Sequence, residues 1–380
     1  MPLPKRKIHV LHVITGLNRG GAEQQLFQLL KDKTVSHTVF SLTDKGEMRQ
    51  EVRNWTTTVS IGSATRRPFA LWWTRLRSHL RKERPDIVMG WMYHGSIAAQ
   101  SLRIAGFRGP IIWNIRHSLH DIRKEQPALR SVIRAGSLAS NWATHIVYNS
   151  NRAKEQHENV GFGHKHSSVI HNGIDLQRFT PSSTKRKSVR SKLAVKPGEF
   201  IIGIVGRSHP MKNHDGWLEV FSHLIATHRH LRCLIIGAGV PRQLTPVVRR
   251  FGLENRVWLK EVNASLEDYY PGLDLLVLPS LWGEAFPNVI SEAMACGVPV
   301  VATPLGDVPE LVANGGIVAE NADSKGILEA VNRALNLIDA RVEGNTDHFK
   351  PREAASRFDA SLLREQYRTL YQEVLNKNSS

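Results

Sequence analysis

The sequence predicts two doubly wound α/β domains, and three observations carry that expectation. A chain of 380 residues is longer than one ordinary core organises. Two blocks, beginning at Ile8 and at Phe200, each open with a short apolar run, a glycine turn and a helix-like stretch. The apolar runs that follow in both halves are continuous rather than alternating, which is how parallel strands covered on both faces read.

In order along the chain, the first block runs Ile8 to Ile14, then Gly16, Gly20 and Gly21, then a helical stretch from Ala22 to Leu30. Strands are expected at Ile87–Met89, Ile111–Ile115 and His145–Tyr148. Thr180 to Lys196 is rich in Ser, Lys and Arg and poor in apolar residues, so it reads as the linker. The second block has a strand at Phe200–Val205, the turn Gly206-Arg207 and a helix from Gly216 to Ala226. Further strands are expected at Cys233–Ile236, Leu275–Leu278 and Val298–Val301. The last segment, Arg352 to Leu375, carries Phe358, Leu362, Tyr367, Tyr371 and Leu375 at helical spacing and reads as one amphipathic helix in need of a surface. These landmarks place the domains at 1–178 and 179–355, with the final helix, 356–380, separate from the second.

The hydrophobic fraction of 41% and charged fraction of 22% are those of a folded soluble chain and exclude disorder, collagen and a disulfide scaffold. Cys233 and Cys296 lie in apolar surroundings, suit a reducing compartment and offer no metal spacing. Lys5, Arg6 and Lys7 before Ile8–Val13 imitate a signal peptide. Two histidines interrupt that run and a glycine loop follows it, so it reads as a first strand. No run of about 18 apolar residues occurs, and the expected location is cytoplasmic.

The net charge of +17 is unevenly placed. Residues 1–175 hold 26 Lys and Arg against 12 Asp and Glu, whereas residues 200–380 hold 18 against 21. A basic first half suggests a polyanionic partner: a membrane surface, a phosphorylated substrate or nucleic acid.

The chemistry-bearing residues fall at strand ends, where such folds bind ligands. Arg207 and Lys212, on one strand-to-helix loop, are spaced to converge on a diphosphate, though surface pairs of this kind are common. In Leu278–Val301 a strand ends in a glycine loop and a helix begins near Pro287, where a missing N–H costs nothing. The N–H groups at that helix start form an anion site. Glu284 precedes it and Glu292 lies on it, one placed to meet sugar hydroxyls and the other a ribose; alternatively, Glu284 is a carboxylate favoured by the helix dipole. No Asp-x-Asp occurs, so no carboxylate pair is expected to hold a metal, and no cofactor is expected.

This stretch resembles the E-x7-E signature of retaining glycosyltransferases of family four. Gly20-Gly21-Ala22-Glu23 is similar to their N-terminal glycine loop, His171-Asn172-Gly173-Ile174-Asp175 to their interdomain turn, Gly206-Arg207 with Lys212 to their phosphate-binding pair, and Gly237-Ala238-Gly239 to their second glycine turn. The resemblance covers nearly the whole chain. It implies the GT-B fold: two Rossmann-like domains facing a cleft, an acceptor-binding one and a donor-binding one, with the C-terminal helix crossing back to the first. It also implies roles. Arg207 and Lys212 would neutralise the departing diphosphate in place of a metal ion. Glu284 would hold sugar hydroxyls and Glu292 the ribose. Backbone around Phe286, Pro287 and Asn288 would hold phosphate or sugar. Gly20, Gly21, Gly206 and Gly237 would allow close approach of the donor, and His117 would lie near the transferred sugar. His94, Arg116 and Asn172 are assigned to the acceptor side. The sequence departs from the family at Ser118, where an acidic residue often follows the histidine, and at Glu261, where a glycine is usual.

The expected partners are a nucleotide sugar donor, a lipid-linked saccharide acceptor and an anionic membrane surface at the inner face of the cell membrane. Arg66 to Arg84 supplies one candidate for the last: Trp73, Leu76 and Leu80 form a stripe flanked by Arg75, Arg77, Arg81 and Lys82. An ordinary domain helix with a solvated basic face fits the same pattern. An epimerase or phosphorylase on the same fold, and more distantly a basic nucleic-acid-binding protein, are the competing readings; no helix-turn-helix, zinc spacing or basic-aromatic sheet motif supports the last.

Overall fold

The computed structural model describes residues 6–18, 20–43, 46–60, 69–261, 265–342 and 348–379. Lys5, Arg19, Arg66, Arg67 and Ser380 lie outside the described residues, as do the side chains of Phe69, Leu71 and Trp72. The chain divides into two compact units, Met1–Gly173 with Ala360–Ser380, and Ile174–Asp359. The breaks fall at Gly173 and Asp359, against the expected 178 and 355.

The first unit contains strands β1 (His9–Ile14), β2 (Ser36–Ser41), β3 (Thr57–Ser60), β4 (Ile87–Trp91), β5 (Ile111–Ile115), β6 (His145–Tyr148) and β7 (Ser167–Val169). Its helices are α1 (Gly21–Leu30), α2 (Arg49–Arg53), α3 (Phe69–Glu83), α4 (Met92–Ser101), α5 (Pro127–Ser140) and α6 (Asn151–Asn159). The second unit contains β8 (Phe200–Val205), β9 (Leu231–Ile236), β10 (Val257–Lys260), β11 (Leu275–Leu278), β12 (Val300–Ala302) and β13 (Gly316–Val318). Around them lie α7 (Ser183–Lys192), α8 (His214–Thr227), α9 (Val240–Arg250), α10 (Asn288–Ala295), α11 (Val308–Val312), α12 (Ser324–Val342) and α13 (Pro351–Ser356). The last helix, α14 (Ala360–Ser379), packs on the first unit's sheet.

Both sheets are parallel, ordered β3-β2-β1-β4-β5-β6-β7 and β10-β9-β8-β11-β12-β13. Their continuous apolar strands serve two cores at once. In the first unit Val10, Met89 and Ile112 face a layer with α1 and α14, while Leu11, Val88 and Trp113 face a layer with α3, α4 and α5. Strand order reverses between β1 and β4 and between β8 and β11, and such reversals open a crevice at the carboxyl ends.

Two expectations change, and a third position favours one of its two readings. Thr180–Lys196 is mostly helix α7, not a linker: Arg186 and Arg190 both donate to Asp274, and Val189 is buried. It docks by ion pairs, so its sequence shows almost no apolar stripe. The final segment is two helices, not one, because the chain leaves the second unit at Asp359. Phe358 packs edge-on against Phe286 in the second unit, Leu362 is 43% exposed, and Leu363 takes the buried position on α14. On α3, Leu76 and Leu80 are core residues, so the apolar stripe faces inward, as in an ordinary domain helix.

Candidate functional site

At the β8/β11 reversal, the loops after the two strands meet. Lys212 ends a short 3-10 turn, and Asn213 then takes a left-handed conformation (φ 52°) that turns the chain into α8. The Lys212 stem lies over Gly206, and its Nζ donates to Glu284 Oε1 at 2.6 Å. Ser280, just past β11, donates to the same oxygen at 2.7 Å, and Thr303 Oγ1 fixes the Ser280 carbonyl at 2.7 Å. The Leu281 N–H donates to the Met211 carbonyl at 2.9 Å, tying the two loops together. Glu284 Oε1 therefore takes two bonds, while Oε2 takes none among the described residues. Arg207 is exposed and makes no side-chain hydrogen bond or ion pair among the described residues.

Behind this cluster the loop after β9 presses against the loop after β8. A Cβ on Gly237 would stand 1.8 Å from the Gly206 carbonyl oxygen, so no side chain fits there. Glu261 accepts the Gly239 N–H at 2.9 Å, at the N-terminus of α9. The family's usual glycine is thus replaced by a carboxylate that satisfies a helix-start donor. His214 is buried, its Nε2 lacks a partner, and burial lowers its pKa to about 4.

The E-x7-E stretch separates into unlike parts. Phe286 is buried and anchors its loop; Pro287 precedes the first turn of α10 and Asn288 begins it. Glu292 is 3% exposed and accepts the Tyr270 hydroxyl at 2.7 Å. Burial raises its pKa to about 7, against the opposing effects of the Tyr270 bond and Arg178.

In the first unit, His117 follows β5 and is held by a hydrogen-bond chain. Its Nδ1 lies 3.0 Å from Tyr93 Oη, which lies 2.7 Å from His157 Nε2; His157 Nδ1 lies 2.7 Å from the Ala153 carbonyl. Proton positions follow from chemistry. A carbonyl only accepts, so His157 carries its proton on Nδ1; burial lowers its pKa to about 3 and keeps it neutral. Its Nε2 must then accept the Tyr93 O–H. Tyr93, its one proton used, must accept the His117 Nδ1–H. His117 Nδ1 therefore carries a proton, and its Nε2 lies 3.8 Å from Glu125.

The other first-unit candidates are dispersed. His94 is exposed in the first turn of α4, which Met92 enters with a left-handed φ of 57°. Gly20 and Gly21 open α1, and the Glu23 carboxylate folds back beside Gly20, where burial raises its pKa. Arg116 donates to Asn114, Ile170, Asn172 and Tyr367, four bonds from its five N–H groups. With Asn172 buried beneath it, this guanidinium ties β5 to α14, a framework role distinct from the acceptor contact expected of it. Gln25 clamps Gly173 through both backbone groups, at 2.7 and 3.1 Å.

Sequence reasoning missed Ser280, Tyr93, His157 and Gln25. Gln25 had a legible signal, a polar residue on the apolar face of α1. Tyr93 and His157 are single residues whose partners are distant in the chain, and Ser280, four residues before Glu284, carries no signal of its own beside the glycine loop.

Two family models match: Glycosyltransferase Family 4 over residues 19–178 and Glycosyl transferases group 1 over residues 199–337. A D-inositol 3-phosphate glycosyltransferase of Rhodococcus erythropolis is 32% identical over 180 residues, 45% of this chain and 40% of the relative. The lipopolysaccharide core biosynthesis mannosyltransferase LpsB of Rhizobium meliloti is 30% identical over 196 residues, 50% of this chain and 53% of the relative. The chain thus spans about half or less of these curated relatives. Anabaena Alr3699/HepE, solved in complex with UDP-glucose, superposes with a TM-score of 0.79 at 22% identity, covering 97% of this chain and 100% of that one. That likeness shows the GT-B fold. With a Family 4 domain followed by a group 1 domain on this fold, the chain belongs to the family-four glycosyltransferases.

Proposed function

We propose that this protein is a retaining, metal-independent glycosyltransferase. It moves a sugar, from UDP-hexose or UDP-N-acetylhexosamine, to a lipid-linked saccharide in the assembly of a surface polysaccharide at the inner face of the membrane. The observation that carries the reading is the Lys212–Glu284–Ser280 cluster at the β8/β11 reversal, beside unpaired Arg207. Departure of a nucleoside diphosphate builds negative charge on the β-phosphate, and preorganised cations at a strand-end crevice stabilise it. Lys212 keeps two N–H donors beyond the one given to Glu284, so it can hold a phosphate without leaving its partner. Glu284 Oε2 accepts a sugar hydroxyl.

In the step itself the acceptor oxygen bonds to the sugar's anomeric carbon on the face the leaving group vacates. The bond from that carbon to the β-phosphate oxygen breaks, its electron pair stays on the phosphate, and a phosphate oxygen takes the acceptor's proton. The UDP-glucose complex of the Anabaena protein supports a uridine nucleotide, and the LpsB relative supports a lipopolysaccharide-type acceptor. A soluble sugar phosphate acceptor is the second reading, favoured by the Rhodococcus relative.

The test is a thermal-shift and transfer assay with UDP, GDP, ADP and their sugars, with and without EDTA, beside Arg207→Ala and Glu284→Ala. A shift with one nucleotide that survives EDTA and disappears in Arg207→Ala is expected. A folded protein that no nucleotide stabilises would overturn the reading. Release of nucleotide on addition of inositol phosphate, but not of lipid-linked saccharide, would select the second one.

A further inference from the structure

We propose that the end of α4 and the second half of α5 form a docking surface for an anionic lipid bilayer. This rests on, and localises, the membrane part of the proposed function. Ile104, Leu138 and Trp142 are 83%, 71% and 70% exposed, more than any other large apolar side chain among the described residues. Ile104 and Trp142 line one shallow apolar depression with Ile97 and Ala139, and Leu138 directly precedes Ala139 on α5. A contiguous apolar patch on a folded surface marks an interaction site, whereas scattered single residues do not.

The patch is held in place from below. Trp113 Nε1 in the core donates to Gln100 Oε1 at 3.2 Å, and Gln100 Nε2 donates to the Trp142 carbonyl at 3.1 Å. The turn carrying Trp142 is therefore fixed to α4.

Charge selects the occupant. Residues 87–154, which carry the patch, contain nine Arg and Lys against two acids, Asp121 and Glu125, and of the nine Arg116 is taken up by its bonds to Asn114, Ile170, Asn172 and Tyr367. Arg108 and Arg134 are exposed, and Arg103 lines the depression. An apolar wedge with a tryptophan, with Arg103 in its depression and Arg134 one turn before Leu138 on α5, suits the headgroup boundary of an anionic leaflet. A soluble acidic protein would match the charge without needing three protruding apolar side chains. Helix α3 packs in the same layer as α4 and α5; among its described side chains Leu76 and Leu80 are in the core and Arg75, Arg81 and Lys82 are exposed.

The experiment is co-sedimentation of the full chain with vesicles of phosphatidylcholine alone or of equal parts phosphatidylcholine and phosphatidylglycerol. The wild type is expected to pellet with the anionic vesicles only. Leu138→Glu with Trp142→Glu should weaken partitioning at least about tenfold, and Arg75→Glu with Arg81→Glu should weaken it less. Nucleotide thermal shifts of both variants check that the fold is intact. Both native cysteines are buried, so Leu138→Cys can carry an environment-sensitive dye; its emission should shift to the blue on anionic vesicles. Wild-type binding by the double variant, with no dye shift, overturns this surface and leaves the membrane reading standing. No vesicle binding by the wild type overturns both. A dimer in solution that Trp142→Glu dissociates, without vesicle binding, makes the patch a self-association surface and overturns the proposal.

Discussion

Lys212 in the second unit and His117 in the first are each fixed by neighbours, but by different forces. Lys212 is held by charge: its ammonium meets a carboxylate that is 7% exposed and shared with a serine. Low local dielectric strengthens that attraction and makes loss of either partner costly. His117 is held by a chain of neutral groups ending on a backbone carbonyl, with no ion among its buried members. The first arrangement concentrates positive potential where an anion can share it. The second adds no field; it holds a proton on His117 Nδ1 and fixes one ring orientation. Removing a charge should therefore disable chemistry, whereas removing a link of the neutral chain should loosen geometry.

The largest effect is expected from Lys212→Met, which keeps the stem over Gly206 and removes the charge. Transfer should fall about 10²–10³-fold while nucleotide still binds weakly, as read by steady-state kinetics and calorimetry. Tyr93→Phe should act differently. It leaves the buried His157 Nε2 without a donor, costing about 1–3 kcal/mol of stability, and it frees His117 to exchange tautomers. Nitrogen chemical shifts of the His117 ring should show Nδ1 protonated in the wild type and a mixture of Nδ1–H and Nε2–H forms in Tyr93→Phe. If Tyr93→Phe cost as much activity as Lys212→Met, with the tautomer unchanged, the distinction between the two regions would collapse.

The same contrast explains what could be read in the sequence. The charged pair was half legible: Lys212 and Glu284 each stand out within their own loop, but nothing in the sequence says that they bond to each other. The neutral chain was not. Tyr93, His117 and His157 come from the first turn of α4, the loop after β5 and the last turn of α6, and nothing in their spacing announces a contact made only by sheet order. Strands were the easiest elements, since burial on both faces demands uninterrupted apolar runs. The errors came where docking is polar or the chain changes unit. Helix α7 binds through Arg186 and Arg190 to one aspartate, which composition reads as a linker. The break at Asp359 moves the apolar spacing from Leu362 to Leu363, and a helical pattern carried through it from Phe358 points to the wrong face.

The smallest and sharpest test is the sign of the pH dependence. In the first unit His37, His145 and His157 have folded pKa values near 4, 4 and 3, lowered first by burial. The unfolded chain takes up protons at these sites below about pH 6.5, so stability falls as pH drops through the window below it. Glu292 works the other way. Its folded pKa of about 7 lies above the unfolded value of 4.5, so its contribution is full below 4.5 and is lost as pH rises toward 7. Between pH 4.5 and 6.5 the histidines outnumber the two raised carboxyls, Glu292 and Glu23, and net stability should decline on acidification. Glu292→Gln keeps an acceptor for Tyr270 and removes its opposing term, so that decline should steepen by about 1.4 kcal/mol per pH unit. The variant should also gain stability over the wild type at pH 8, where the buried carboxylate is charged. Denaturant titrations at pH 8 and pH 5.5 read both signs. A Glu292→Gln protein with the wild-type slope would mean that the carboxyl is already ionised at neutral pH and solvated or paired in a way its burial against Tyr270 does not provide.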